Sequence, residues 1–326
     1  MDEQRSDRAR LAVASVAAFA GVFAFAFSKI ASYDFWWRLA LGRRVFTGGG
    51  IGGPEPFAYT FADRSLIQSD WMFNAFIYLV WSIVGFAGLP AVKALLFGIA
   101  AVSVLRWLSR RGAAPFAALW LILAAAAALR YRLFLRPDFV SLLLLGFVFV
   151  LADRAALQRS WLYVVVPVFA LWSNIHDLVL LGFVPIVSRG AEALIDPAAR
   201  RERRYWPWIG TAAAGFLASL LNPWPGHYLK TAFFQAAPDI GASPEAAPLG
   251  LGGHTLIVFL FAVCTAALFA HRKEKPWRQA ITVAVFAAAA LKHARLGAYF
   301  AVAAVFEIGP LLAGFKWPAR NPCGPP

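Results

Sequence analysis

The chain is poor in sulfur and in acid. Its 326 residues include two cysteines, Cys264 within an apolar run and Cys323 near the C-terminus, so neither a disulfide framework nor a cysteine-based metal cluster can be built. The five histidines stand singly, which argues against a metal site, and no cofactor is called for. No Walker-type G-x-x-x-x-G-K-[ST] and no G-x-G-x-x-G occurs, so no phosphate-cradling glycine loop is expected. Nothing resembles a Ser-His-Asp or Cys-His arrangement, and there is no internal repeat. Within the apolar runs the expected acid is Glu192, near the end of one, which argues against a proton-coupled transporter. Seventeen acids face 31 lysines and arginines, a net charge of +14. In a soluble chain that would suggest nucleic acid. Here the basic residues fall in short loops between apolar runs, so they read as topology signals and contacts to lipid headgroups, with no nucleic-acid partner.

What the chain has in abundance is apolar length. Sixty per cent of residues are hydrophobic and the mean hydropathy is +0.63, more than a soluble domain of this size can bury. Apolar runs of roughly 17–25 residues recur, the length that crosses about 30 Å of hydrocarbon. Runs such as 121–129 do not alternate, which excludes a membrane barrel. The expected fold is all-α, a polytopic transmembrane bundle of about ten to eleven helices. Residues 1–10 form a polar cytoplasmic N-terminus, 11–314 the membrane domain and 315–326 a disordered tail. The first span, about 11–30, reads as an anchor rather than a cleaved signal peptide. Outer loops are expected at 31–70, with its glycine clusters at 48–50 and 52–53, and at 222–253.

Further runs cover 71–88, 90–107, 114–129, 138–152, 161–173, 178–195, 207–221, 254–270, 279–291 and 297–314, the first two split by Gly88-Leu89-Pro90. From residue 138 onward, separators dense in basic residues alternate with mixed, aromatic-rich ones, and the positive-inside rule places the basic set in the cytoplasm. If every run crossed from a cytoplasmic N-terminus, Arg110-Arg111 would lie outside. Either the N-terminus is outside, or 71–88 lies along or re-enters the outer face. Trp71, Asn74, Tyr78, Trp81 and Ser82 make that run more polar than its neighbours, and the second solution is preferred. It gives about ten crossings and puts both termini in the cytoplasm. Tyr131–Asp138 then falls outside despite Arg132 and Arg136, a violation that phosphate binding would explain.

The organising stretch is Tyr33–Trp71, where Asp34 and Asp70 each lie close to tryptophan, as at a membrane–water interface. Asp34 reads either as a helix-terminal acid in water or as a general base toward an acceptor hydroxyl. Asp70 admits the same two readings, and Arg38 flanks Asp34. Arg130, Arg132 and Arg136 read either as lipid-headgroup contacts or as a phosphate clamp, which Lys292 and Arg295 would join. Asn174, His176 and Asp177 end an apolar helix, and His176 is a candidate donor to phosphate or sugar. Asn222 opens N-P-W-P-G, which ends a helix sharply.

In order along the chain, D-F-W-W-R-L-A-L-G at Asp34–Gly42, P-F-A-Y-T at Pro56–Thr60, S-D-W at Ser69–Trp71, R-P-D-F-V-S at Arg136–Ser141, L-W-S-N-I-H at Leu171–His176, Asn222-Pro223 and the Arg295–Phe300 region form a pattern. It resembles a family of bacterial multi-spanning proteins assigned as GT-C type glycosyltransferases, related to the dolichyl-phosphate-mannose protein mannosyltransferases. The resemblance implies a GT-C fold in the inner membrane, a first outer loop with a catalytic acid, and a polyprenyl-phosphate-linked sugar as donor. By position it implies Asp34 as base, Asp70 on the acceptor side, and Arg136, His176 and Arg295 around the donor phosphate. The chain departs from the family at Arg38 and Ser69 (His there), Asp70 (Glu) and Asp177 (Gly). The alternative is a non-catalytic scaffold or accessory subunit with membrane-protein partners; a lipid-linked-glycan flippase is a third reading. They part on whether Asp34 and Arg136 converge beside one lipid-accessible cavity.

Overall fold

A computed structural model describes residues 2–57, 60, 65–226, 229–230 and 255–314. The expected tail and most of the 222–253 loop lie outside these residues. Among those described, the chain is all-helical, apart from one isolated bridge between Pro54 and Ser65. The helices are α1 (Asp2–Ala26), α2 (Phe35–Phe46), α3 (Trp71–Arg110), α4 (Pro115–Leu129), α5 (Pro137–Leu157), α6 (Leu162–Ser173), α7 (Phe183–Ile195), α8 (Pro197–Arg201), α9 (Trp206–Ser219), α10 (Thr255–Ala270), α11 (Trp277–Lys292) and α12 (Gly297–Ile308). Short 3-10 turns at Arg130–Arg132, Asp177–Gly182 and Ala294–Leu296 continue α4, precede α7 and link α11 to α12.

Five segments are long and apolar enough to cross a membrane: Arg5–Ala26, Trp71–Arg110, Pro115–Arg132, Pro137–Leu157 and Asp177–Ile195. Large apolar side chains point outward along the bundle, among them Val16, Ile83, Trp120, Tyr163, Leu217 and Phe269, each more than 60% exposed. Water would not tolerate such a continuous apolar surface, whereas lipid tails do. This is a helical membrane protein.

Two differences from expectation lie at the start of the chain. The stretch expected as a loop, 31–70, holds helix α2, which lies on α3. Gly42 permits the approach, because a Cβ there would fall on the Asn74 carbonyl and the Tyr78 side chain. The break expected at Gly88-Leu89-Pro90 falls instead at Gly85, with φ 65° and ψ −172°, a conformation essentially confined to glycine. Pro90 is accommodated in the first turns of the second half of α3.

Contacts between helix ends define two ends of the bundle. At one, Lys93 near the start of α3's second half donates to Ser28 Oγ after α1 (2.9 Å), Arg136 before α5 donates to Ser32 (2.9 Å), and Tyr131 after α4 donates to the Ala294 carbonyl after α11 (2.8 Å). There too, the Trp71 indole donates to Asn174 after α6 (2.8 Å), and Asn222 after α9 donates to the Ser173 carbonyl (2.9 Å). At the other end Asp153 of α5 accepts from Trp107 of α3 (3.1 Å) and Arg189 of α7 (3.0 Å), and Arg278 of α11 pairs with Glu307 of α12. We call these the Asp34 end and the Asp153 end. Glu307 corrects the expectation of acid-poor runs: it is fully buried near the end of α12, with a guanidinium as its partner.

Candidate functional site

The Asp34 end gathers charge from distant parts of the chain. Asp34 is the residue before α2, one turn ahead of Arg38, so their side chains share a helix face, Nε to Oδ2 at 3.6 Å. Arg136, 102 residues away, is the extended residue before α5, whose Pro137 starts the helix without needing an N–H donor. Its guanidinium meets Asp34 Oδ1 at 3.2 Å, and Ser32 Oγ bridges the two, accepting from Arg136 Nε at 2.9 Å and donating to Asp34 at 3.1 Å. Arg38 also pairs with Asp70 and donates to Asn74 Oδ1 (3.3 Å), while lying over the rings of Trp37 and Phe73. The result is a chain of alternating charge, Arg136–Asp34–Arg38–Asp70. Burial pushes the Asp34 carboxyl up, but Arg136, a backbone N–H, Arg38 and Ser32 together outweigh it and hold it below the ordinary 3.8. Asp34 is therefore ionised at neutral pH, and it keeps partial exposure, about 26% of its side chain.

A second, drier set lies beside the first. Arg132 and Asp138 form a buried pair at 2.8 Å, and the Tyr299 hydroxyl reaches Asp138 at 3.4 Å. His176, extended between α6 and the following 3-10 turn, has Nδ1 2.8 Å from Ser141 Oγ, which accepts the Trp172 indole N–H at 2.8 Å. Ser141 is fully buried, so this contact positions His176 and offers no nucleophile. Burial pushes the His176 pKa down, and although Asp138, Asp177 and Asp70 pull it back up, it stays below 6.5. The imidazole is neutral at pH 7. Arg295, in the turn before α12, is half-buried and close enough to Asp138 to act on its charge; its Nε makes no hydrogen bond.

Most residues singled out in the sequence thus converge: Asp34, Arg38, Asp70, Arg132, Arg136, His176, Asp177 and Arg295. Asn174 and Asn222 are also present, as fasteners. The Asn174 amide donates to the Ala170 and Leu221 carbonyls, both at 2.9 Å, and that of Asn222 to the Ser69 and Ser173 carbonyls at 3.0 and 2.9 Å. Lys292 stands exposed at the end of α11, and Arg130 at the rim of a cavity. Sequence reasoning gave no site role to Ser32, Asn74, Ser141 or Tyr299. Asp138 stood in view in R-P-D, next to an arginine cluster that needed counter-charge. The three arginines of this end, Arg38, Arg132 and Arg136, are matched in charge by Asp34, Asp70 and Asp138.

A lateral cavity of about 1030 Å³ opens between α1, α4 and α10 at this end, lined by Phe27, Lys29, Ala31, Arg130, Tyr131 and Phe134 among others. Asp34 and Arg136 are not in its wall, but Ala31 is, and the next residue, Ser32, bonds both. No protein-family model, curated protein or solved structure matches the chain.

Proposed function

We propose that this is an integral-membrane glycosyltransferase of GT-C type, moving a sugar from a polyprenyl-phosphate donor to an envelope acceptor at the outer face of a bacterial inner membrane. The Asp34 end is the outer face, and ten segments cross: α1, the second half of α3, α4, α5, α6, the 3-10 turn with α7, α9, α10, α11 and α12. The observation that carries the reading is the contact between Asp34 and Arg136, a carboxylate and a guanidinium brought together from 102 residues apart, both bonded to Ser32, the neighbour of Ala31 in the wall of the cavity between α1, α4 and α10.

In this reading the isoprenoid tail lies in the cavity between α1, α4 and α10, with Lys29 and Arg130 at its rim. The donor phosphate competes with Asp34 for Arg136, which binds phosphate oxygens in the same bidentate way as carboxylate. That exchange frees the Asp34 carboxylate to accept the acceptor's hydroxyl proton. The acceptor oxygen attacks the anomeric carbon, the bond from that carbon to the phosphate oxygen breaks, and polyprenyl phosphate leaves with the electron pair. Arg136, with Arg38 and Arg295 nearby, stabilises the developing negative charge, a contribution that often dominates catalysis. The chemistry asks for no metal.

A second reading, a non-catalytic scaffold, is favoured by one observation: Asp34, Asp70 and Asp138 are each already paired to an arginine of the same chain. One experiment separates the two. Sugar transfer from labelled polyprenyl-phosphate sugars is measured in proteoliposomes for the native protein, Asp34→Asn and Arg136→Ala. The enzyme reading expects transfer by the native protein and a loss of about 10²–10⁴-fold on removing the base. Absence of transfer from every donor, with folding intact, would leave the scaffold.

A further inference from the structure

A second cavity, of about 610 Å³, runs between α1, α3, α4, α5 and α12, from Leu129 and Leu142 to the Asp153 end. Its wall is almost wholly apolar, with Leu96, Ala100, Ile122 and Phe147 representative. It is lined at the Asp153 end by Arg106 and Arg110, one turn apart on α3, and by Arg154 in the last turn of α5. No acid lines it. All three arginines are exposed, and among the described residues none forms an ion pair; Arg154 lies over the Trp161 ring at 4.9 Å. Their neighbours at the same end behave differently. Arg111, Arg189 and Arg278 are each paired with Asp153, Glu192 or Glu307. Three arginines without an acid partner thus stand together at the mouth of an apolar groove, beside three that are paired.

We infer that this groove is a binding site for one acidic phospholipid from the leaflet at the Asp153 end. One acyl chain lies against α3 and α5, and the headgroup phosphate sits among Arg106, Arg110 and Arg154. Leu96 to Arg110 is about 21 Å of helix at 1.5 Å per residue, longer than the roughly 15 Å of one leaflet's hydrocarbon, so the groove has room for the full acyl chain of a lipid whose headgroup stays at the Asp153 end. Any membrane groove fills with lipid tails; what selects the headgroup is the trio of guanidiniums, which bind phosphate oxygens through several N–H donors each. The groove is also tied to the fold's ion network, since Trp107 in its wall donates to Asp153. Occupancy therefore favours the folded state.

The test uses the purified full-length protein in neutral detergent, titrated with phosphatidylglycerol, phosphatidylcholine or inorganic phosphate. The unfolding midpoint and the lipid retained in native mass spectrometry are both read. Phosphatidylglycerol is expected to raise the midpoint by several degrees and to leave one lipid per chain; the other two are expected to do neither. The variant R106Q/R110Q/R154Q loses the rise and the retained lipid, while R200Q/R201Q, which removes charge elsewhere on the surface, keeps both. Ala100→Phe, which narrows the groove without changing charge, reduces retention and stands in if the triple variant does not fold. An equal rise with phosphatidylcholine, a rise with phosphate alone, or retention unaltered in either groove variant would overturn the inference.

Discussion

At the residue scale, burial decides what each polar group can do. His176 is half-buried with Nδ1 2.8 Å from Ser141 Oγ, and its burial favours the neutral ring. Its pKa is lowered from 6.5 on folding, so the unfolded chain takes up a proton that the folded one refuses. The associated stability is complete above 6.5 and is lost as pH falls toward the folded-state value. The unfolding midpoint of the native protein is therefore expected to drop between pH 7.5 and 5.5, with a smaller drop in His176→Gln; equal drops would show that this ring is not the titrating group. Asp34 titrates below 3.8, so its effect on transfer is expected to be flat from pH 5 to 8.

At the element scale, α3 is two helices under one stretch of apolar sequence. The segment 71–84 has both ends at the Asp34 end of the bundle. Trp71 bonds Asn174, while Phe86, just past the break, packs on Phe35 and Trp36 at the start of α2. It therefore doubles back at that end, and only the second half of α3 runs the length of the bundle. With Cys264 and Cys323 replaced by serine, single cysteines at Ser65 and Ala87 are expected to react with an impermeant maleimide from one side of sealed vesicles, and one at Ala114 from the other. Labelling of 65 and 87 from opposite sides would make 71–84 a crossing. The turn itself depends on Gly85, at φ 65° and ψ −172°. Gly85→Ala is expected to cost about 1–3 kcal/mol, read as a lowered unfolding midpoint; an unchanged midpoint would mean the bend is not strained.

At the scale of the whole molecule, each end of the bundle is tied by buried charge. Asp153 joins α3, α5 and α7 through Arg111 and Arg189, and Arg278 joins α11 to α12 through Glu307 and lies 4.0 Å from Glu192 of α7. Removing one member of such a pair leaves an uncompensated charge in a low-dielectric interior. Glu307→Ala is expected to destabilise the protein by about 3–5 kcal/mol, and adding Arg278→Met should restore much of it. Denaturant unfolding in detergent checks both; a loss under about 1 kcal/mol would show the pair to be incidental.

Helicity, the placement of most helices and the gathering of polar residues at one end were legible in the sequence. Hydrophobicity is a property of each residue and survives in any arrangement, so an apolar run becomes a helix in lipid whatever its neighbours are. The pairings were not legible. Nothing in R-P-D-F-V-S says that Arg136 will meet Asp34, that the Asp138 beside it will pair with Arg132, or that Glu307 will find Arg278. Such contacts depend on the depth and rotation of helices far apart in the chain, which only tertiary packing sets. Gly85 carried the same limit: a glycine about four turns into an apolar run is compatible with a straight helix, and the bend shows only in the folded chain, where Phe86 packs on Phe35 and Trp36 of α2.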